Sequence, residues 1–155
     1  MRAAAIPIEE IEPAFTGKRR QVSRTPSLPL IWPNTSKARY DLFDAWHGVA
    51  MQYARLNGVG LRFLAVSKIV MRWNQQAITA TNQQLADRAG YCSIETIRRE
   101  IAALRDLGLL STKGGGRRHP DGIRIIRTRT IRLAVPTNMD PRIKLPDGDF
   151  ETETD

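Results

Sequence analysis

The stretch "SIETIRRE" (Ser93–Glu100) sets Ser93, Glu95, Thr96, Arg98 and Arg99 within two helical turns. Arginine can fork onto the O6 and N7 of guanine or clamp a phosphate. Glutamate accepts from cytosine, and Ser and Thr meet either base edges or backbone oxygens. Further on, "GGGRRHPDG" (Gly114–Gly122) holds Arg117, Arg118 and His119, with Lys113 just before it. These residue types suit the gripping of a polyanion rather than the making of bonds. No HExxH, GxSxG or CxxC is present, and the glycines lack the Gly-Lys-Ser/Thr ending of a phosphate-binding loop. A protein without enzymatic activity, cofactor or evident small-molecule ligand is expected. Cys92 is the only cysteine and His47 and His119 the only histidines, too few for a structural zinc site. A single cysteine also forms no internal disulfide, which fits a reducing cytoplasm.

The formal charge of the 155 residues is +8, and its placement matters more than its size. Residues 1–35 carry a net +2, residues 36–87 +3, residues 88–132 +7 and residues 133–155 −4. The excess is therefore concentrated around the two basic stretches. Such a field favours nucleic acid or an anionic membrane surface as partner. No run approaches the roughly 20 apolar residues of a membrane span. The start, "MRAAAIPIEEIEP", has too short an apolar run for a secretion signal.

The elements that must position these side chains follow from periodicity. Residues 1–35 read as an extended arm, interrupted by Pro7, Pro13, Pro26, Pro29 and Pro33, with the basic patch "GKRRQVSR" inside it and "LPLIWP" packing on the body. Ser36 is a plausible cap for a helix whose apolar face is Leu42, Phe43, Trp46, Val49, Ala50, Tyr53 and Leu56. "NGVG" ends it. A second, largely buried helix is predicted over Leu61–Asn74, and "AITA" (Ala77–Ala80) is a short β-prone piece. Thr81 with Gln84 forms a capping box for a short third helix, which exposes Asn82 and Gln83 and ends at Gly90. Ser93 caps a fourth, which runs to Leu107 and buries Ile94, Ile97, Ile101, Leu104 and Leu107. "LLSTK" (109–113) and "IRIIRTRTIRL" (123–133) read as paired strands joined by the Gly114–Gly122 loop. After Pro136 an acidic, disordered tail is expected.

Two helices joined by a tight Gly-containing turn, the second polar on its outer face, describe a helix-turn-helix. "TNQQLADRAG", "ETIRREIAALRDLGLL", a strand, a Gly-rich loop and a second strand together resemble the winged-helix DNA-binding domains of bacterial transcriptional regulators. The resemblance covers about residues 61–133. It implies a mainly α fold with a small β-hairpin: a winged helix-turn-helix within residues 36–135, extended by an N-terminal helix and by flexible tails. By that resemblance helix 93–107 enters the major groove, and Gly114–Gly122 is a wing carrying Arg117, Arg118 and His119 to the backbone or minor groove. Thr81, Asn82, Gln83, Ser93, Glu95, Thr96, Arg98, Arg99 and Lys113 complete the set of DNA contacts. "GYCSIET" is about one residue longer than the usual turn of that family.

The expected partner is double-stranded DNA, and the expected role that of a sequence-specific bacterial-type transcriptional regulator, chiefly a repressor, in the cytoplasm with the nucleoid. A plasmid or phage replication initiator and a protein-interaction module are the alternatives. Plainer readings stand beside these. Glu95 can simply pair with Arg99 on a solvated face. Cys92 can be small core filler rather than a reactive thiol. Trp46, Tyr53 and Trp73 read as core aromatics and His47 as structural or exposed. The Leu42–Leu56 face serves either a homodimer or the chain's own core.

Overall fold

The computed structural model describes residues 25–118, 121–123 and 125–146, without the side chains of 115–118 and 125–128. In chain order the elements are β1 (Ser27–Pro29), α1 (Ser36–Leu56), α2 (Arg62–Val70), β2 (Met71–Arg72), β3 (Ala77–Ile78), α3 (Asn82–Arg88), α4 (Ile94–Asp106), β4 (Leu110–Arg118) and β5 (Ile125–Pro136). Among the described residues four helices thus pack with a five-stranded antiparallel sheet, a more even mixture than the mainly helical fold with one hairpin that the sequence predicts. The extra strands are short. β5 pairs with β1 at its end and with β3 at Ile131, while β3 pairs with β2.

α1 begins one residue earlier than expected. Thr35, not Ser36, has the extended backbone of a cap and accepts the Ala38 N–H. The apolar face of α1 is buried inside the chain: Phe43, Trp46, Val49, Ala50 and Tyr53 share one core with α2, α3, α4 and the sheet. The chain's own core thus takes up most of that face, with Leu42 half-buried and Leu56 42% exposed at its ends. Trp46 is fully buried, and its indole N–H lies 3.1 Å from Leu109 O and 2.9 Å from Ala134 O. His47 Nε2 bonds the Leu64 carbonyl at 2.9 Å, its expected structural role. Trp73 is ringed by Trp32, Tyr40 and Phe43, all in edge-on contact.

α2 is shorter than the apolar run suggests. Met71 turns to extended backbone (φ −65°, ψ 130°), so its main chain pairs with Ile78 while its side chain stays in the core. Its first turn has no cap of its own. Instead the Phe63 N–H donates to Glu100 Oε1 of α4 at 2.8 Å. Glu100 is only 6% exposed, and a Cβ at Gly60 would collide with its Oε2. The Glu100 carboxylate thus acts as a cap between helices, where the α2 dipole favours it.

The glycines of the predicted loop lie in a strand. β4 runs through Gly114, Gly115 and Gly116 to Arg118, paired residue for residue with 125–133 of β5. Glycine offers both main-chain hydrogen-bonding groups; opposite the three stand Arg129, Thr128 and Arg127, in a strand that also holds the β-branched Ile125, Ile126 and Thr130. The nine paired residues reach about 27 Å. Gly108, before β4, has φ +87°, and a Cβ there would meet Pro136 Cα at 3.2 Å.

The described parts of both expected tails are anchored near the core. In the arm, Leu30 is buried, and Leu30 N donates to Leu133 O. Beyond Pro136, where disorder is predicted, residues 137–146 lie against α1. Ile143 is buried, the Asp140 N–H donates to the Tyr53 hydroxyl at 2.7 Å, and the Gln52 amide pairs with both main-chain groups of Lys144. The apolar Ile143 and the two α1 polar groups hold this first part of the tail, whose acidic residues lie mostly beyond it, in 147–155. The predicted disorder of 147–155, and the arm through residue 24, fall outside the described residues.

Candidate nucleic-acid interface

α4 presents two chemically opposite faces. Ile97, Ile101 and Leu104 are buried, each contributing on the order of 1.5–3 kcal/mol by leaving water. Ile94, predicted in that stripe, is 44% exposed because it opens the helix beyond the edge of the core. Outside lie Ser93, Glu95, Arg98 and Arg99, with Thr96 half-buried beside them.

Several of these groups already have partners. Ser93 Oγ accepts the Thr96 N–H at 3.0 Å and pairs with the Thr96 hydroxyl at 2.8 Å, so the cap orders the first turn. Glu95 takes a forked bond from Arg98 (Nε to Oε1, 3.0 Å; Nη2 to Oε2, 2.5 Å) and a third from Arg99 Nε at 3.2 Å. The hydrogen-bonded Arg98 guanidinium, aided by Arg99, holds the Glu95 carboxyl below its usual range. Arg98 is in turn held above its usual value by Glu95. Both arginines remain largely exposed, 61% and 74%, and exposed ion pairs of this kind are weak. Glu95 therefore pre-aligns two guanidinium planes that a stronger anion can draw away.

The start of α3 forms a second set. Thr81 Oγ1 accepts the Gln84 N–H at 3.1 Å and Gln84 Oε1 accepts the Thr81 N–H at 2.9 Å, the full capping box. Gln83 Nε2 donates to Asp87 at 2.7 Å and is otherwise exposed. Asn82 is half-buried, and its Oδ1 accepts from Arg129 Nη1 at 2.8 Å while Ala80 O accepts from Nη2 at 2.9 Å. Burial lowers the Arg129 pKa, and its Nε is buried without a partner among the described residues. Arg129 lies on β5, so it fastens the hairpin to the amino end of α3. Asn82 thus has a structural partner that sequence did not foresee, because the two are 47 residues apart. Arg62 Nη1 reaches Ala89 O at 3.0 Å and fixes the other end of α3. Arg72 and Arg88 line an open cleft of about 560 Å³ between α3 and the β2–β3 turn.

Lys113 is exposed on β4 opposite Thr130. Arg117 and Arg118 lie on the outer length of β4, paired with Ile126 and Ile125, their main chain alone being described. His119 lies outside the described residues. Cys92 is half-buried against the core, as small filler would be. Among the described residues no helix is long and apolar enough to cross a membrane.

Sequence reasoning passed over Tyr91. It sits in the turn between α3 and α4, follows Gly90 (φ +86°), itself adopts φ +59°, and is 84% exposed. The only signal was the extra residue in "GYCS". Ile123, beyond the paired hairpin, is 83% exposed. Comparison with family models, curated proteins and solved structures found no match to this chain.

Proposed function

We propose that this chain is a sequence-specific, double-stranded-DNA-binding transcription regulator of the winged-helix type, acting as a repressor by occupying its site. The observation that carries the reading is the division of α4. Its inner stripe is fixed in the core, while Arg98 and Arg99 stand outward, pre-aligned by Glu95, within the most basic segment of the chain. A major groove admits a helix of this kind, and guanine edges match a guanidinium fork. The β4–β5 hairpin, tied to α3 by Arg129, would lie along the adjoining backbone as the wing, with Lys113 on a phosphate.

Selection from a pool of random duplexes tests the proposal. An enriched motif is expected, and Arg99→Ala should weaken binding to it roughly tenfold to a hundredfold while scarcely changing binding to mixed sequence. Absence of enrichment, with no measurable affinity for any duplex, would overturn it.

A further inference from the structure

We infer that Tyr91 is a DNA-contacting residue, its phenol donating a hydrogen bond to a phosphate at the wall of the groove that α4 enters. The inference rests on the proposed function and adds a contact that sequence patterning does not reveal. Its backbone lies at φ +59°, a region where a residue with a Cβ is strained and glycine is not. Nothing inside the fold compensates. The ring is 84% exposed, and no hydrogen bond or ring contact of Tyr91 is seen among the described residues. The neighbouring Gly90 is also left-handed (φ +86°), and among the described residues only Gln76 shares with Tyr91 a side chain on such backbone. A costly aromatic without an internal partner gains its contact from outside the chain, the circumstance in which strain marks function.

Position and chemistry name the partner. Tyr91 stands two residues before Ser93, the cap of α4, and Ile94 beside the cap is also exposed. A side chain flanking the end of an inserted helix meets the sugar–phosphate wall rather than the base edges, and Tyr is among the side chains that bond phosphate oxygens. The phenol is neutral, so the contact releases no counterion.

The experiment measures thermal midpoint and affinity for a fluorescently labelled duplex of mixed sequence, across salt concentration, for the wild type, Tyr91→Phe and Tyr91→Gly. Both variants should bind roughly tenfold more weakly, as loss of a hydrogen bond to a charged group implies. Their salt dependence should equal that of the wild type. Tyr91→Gly should melt no lower than the wild type, since it relieves the turn. Tyr91→Phe keeps the backbone restraint, so its loss isolates the hydroxyl. Wild-type affinity in Tyr91→Phe overturns the phosphate contact while leaving the protein a DNA binder. No duplex binding by the wild type itself overturns the proposed function and this contact together.

Discussion

Gly60→Ala probes how α4 is mounted. A methyl at position 60 runs into Oε2 of Glu100, whose Oε1 holds the Phe63 N–H at 2.8 Å. The tip of a free side chain would swing aside at little cost. Glu100 is 6% exposed, and moving it gives up the hydrogen bond that its buried carboxylate accepts from the first turn of α2, worth about 1.5–3 kcal/mol. Against this stands a gain of about 0.4–1 kcal/mol, because alanine restricts the unfolded chain and Gly60 does not use positive φ. The net expectation is a loss of about 1–2 kcal/mol, a fall of roughly 2–8 °C in Tm for a chain of this size. With Glu100→Ala in place the obstacle is gone, and Gly60→Ala should become neutral or stabilising by up to about 1 kcal/mol. Urea unfolding of the four chains gives the coupling, expected at about 1–3 kcal/mol. Equal effects of Gly60→Ala in both backgrounds, or stabilisation of the wild type, would refute the reasoning: the carboxylate would then be free to move and α2 would not depend on it.

Gly108→Ala should destabilise by at least about 2 kcal/mol, since it forces a Cβ into left-handed backbone and against the main chain of Pro136; a melting curve matching the wild type would contradict this. Lys113→Ala should weaken binding to all duplexes and lower the slope of log affinity against log salt by about one, measured by titration; an unchanged slope removes Lys113 from the interface. The Arg142 side chain and N–H lower the Asp140 carboxyl from 3.8 to about 2. A depressed pKa contributes stability above pH 3.8 that is lost as pH falls toward 2. Asp140→Asn should therefore flatten that part of a plot of thermal midpoint against pH, and superimposable curves would exclude the contribution.

Local chemistry was legible in the sequence wherever the partners are close along the chain. The Thr81–Gln84 box and the Ser93 cap each bridge three residues, and both are present as expected. The inner stripe of α4 is likewise a property of its own periodicity, apart from Ile94. Contacts at long separation were not legible. Glu100 looks like a partner for nearby arginines until α2, 37 residues earlier, presents an uncapped turn. Arg129 looks like one of many strand cations until Asn82 and Ala80 are folded beneath it. The glycines 114–116 carry loop propensity, yet the pairing potential of β5 overrides it. Acidic composition suggested a loose tail after Pro136, but one buried isoleucine and the Gln52 and Tyr53 side chains hold residues 137–146.

Trp46 behaves as a rivet driven through three pieces at once: a single indole N–H from α1 clasps the carbonyls of Leu109 and Ala134 at the root of the hairpin. Pulling it out would strand two oxygens in a dry interior and open a void the size of the largest side chain there. Trimming the chain to residues 61–133 would therefore sever the hinge-pin along with the excess. For this chain α1, the first helix among the described residues, is part of what holds the root of the hairpin.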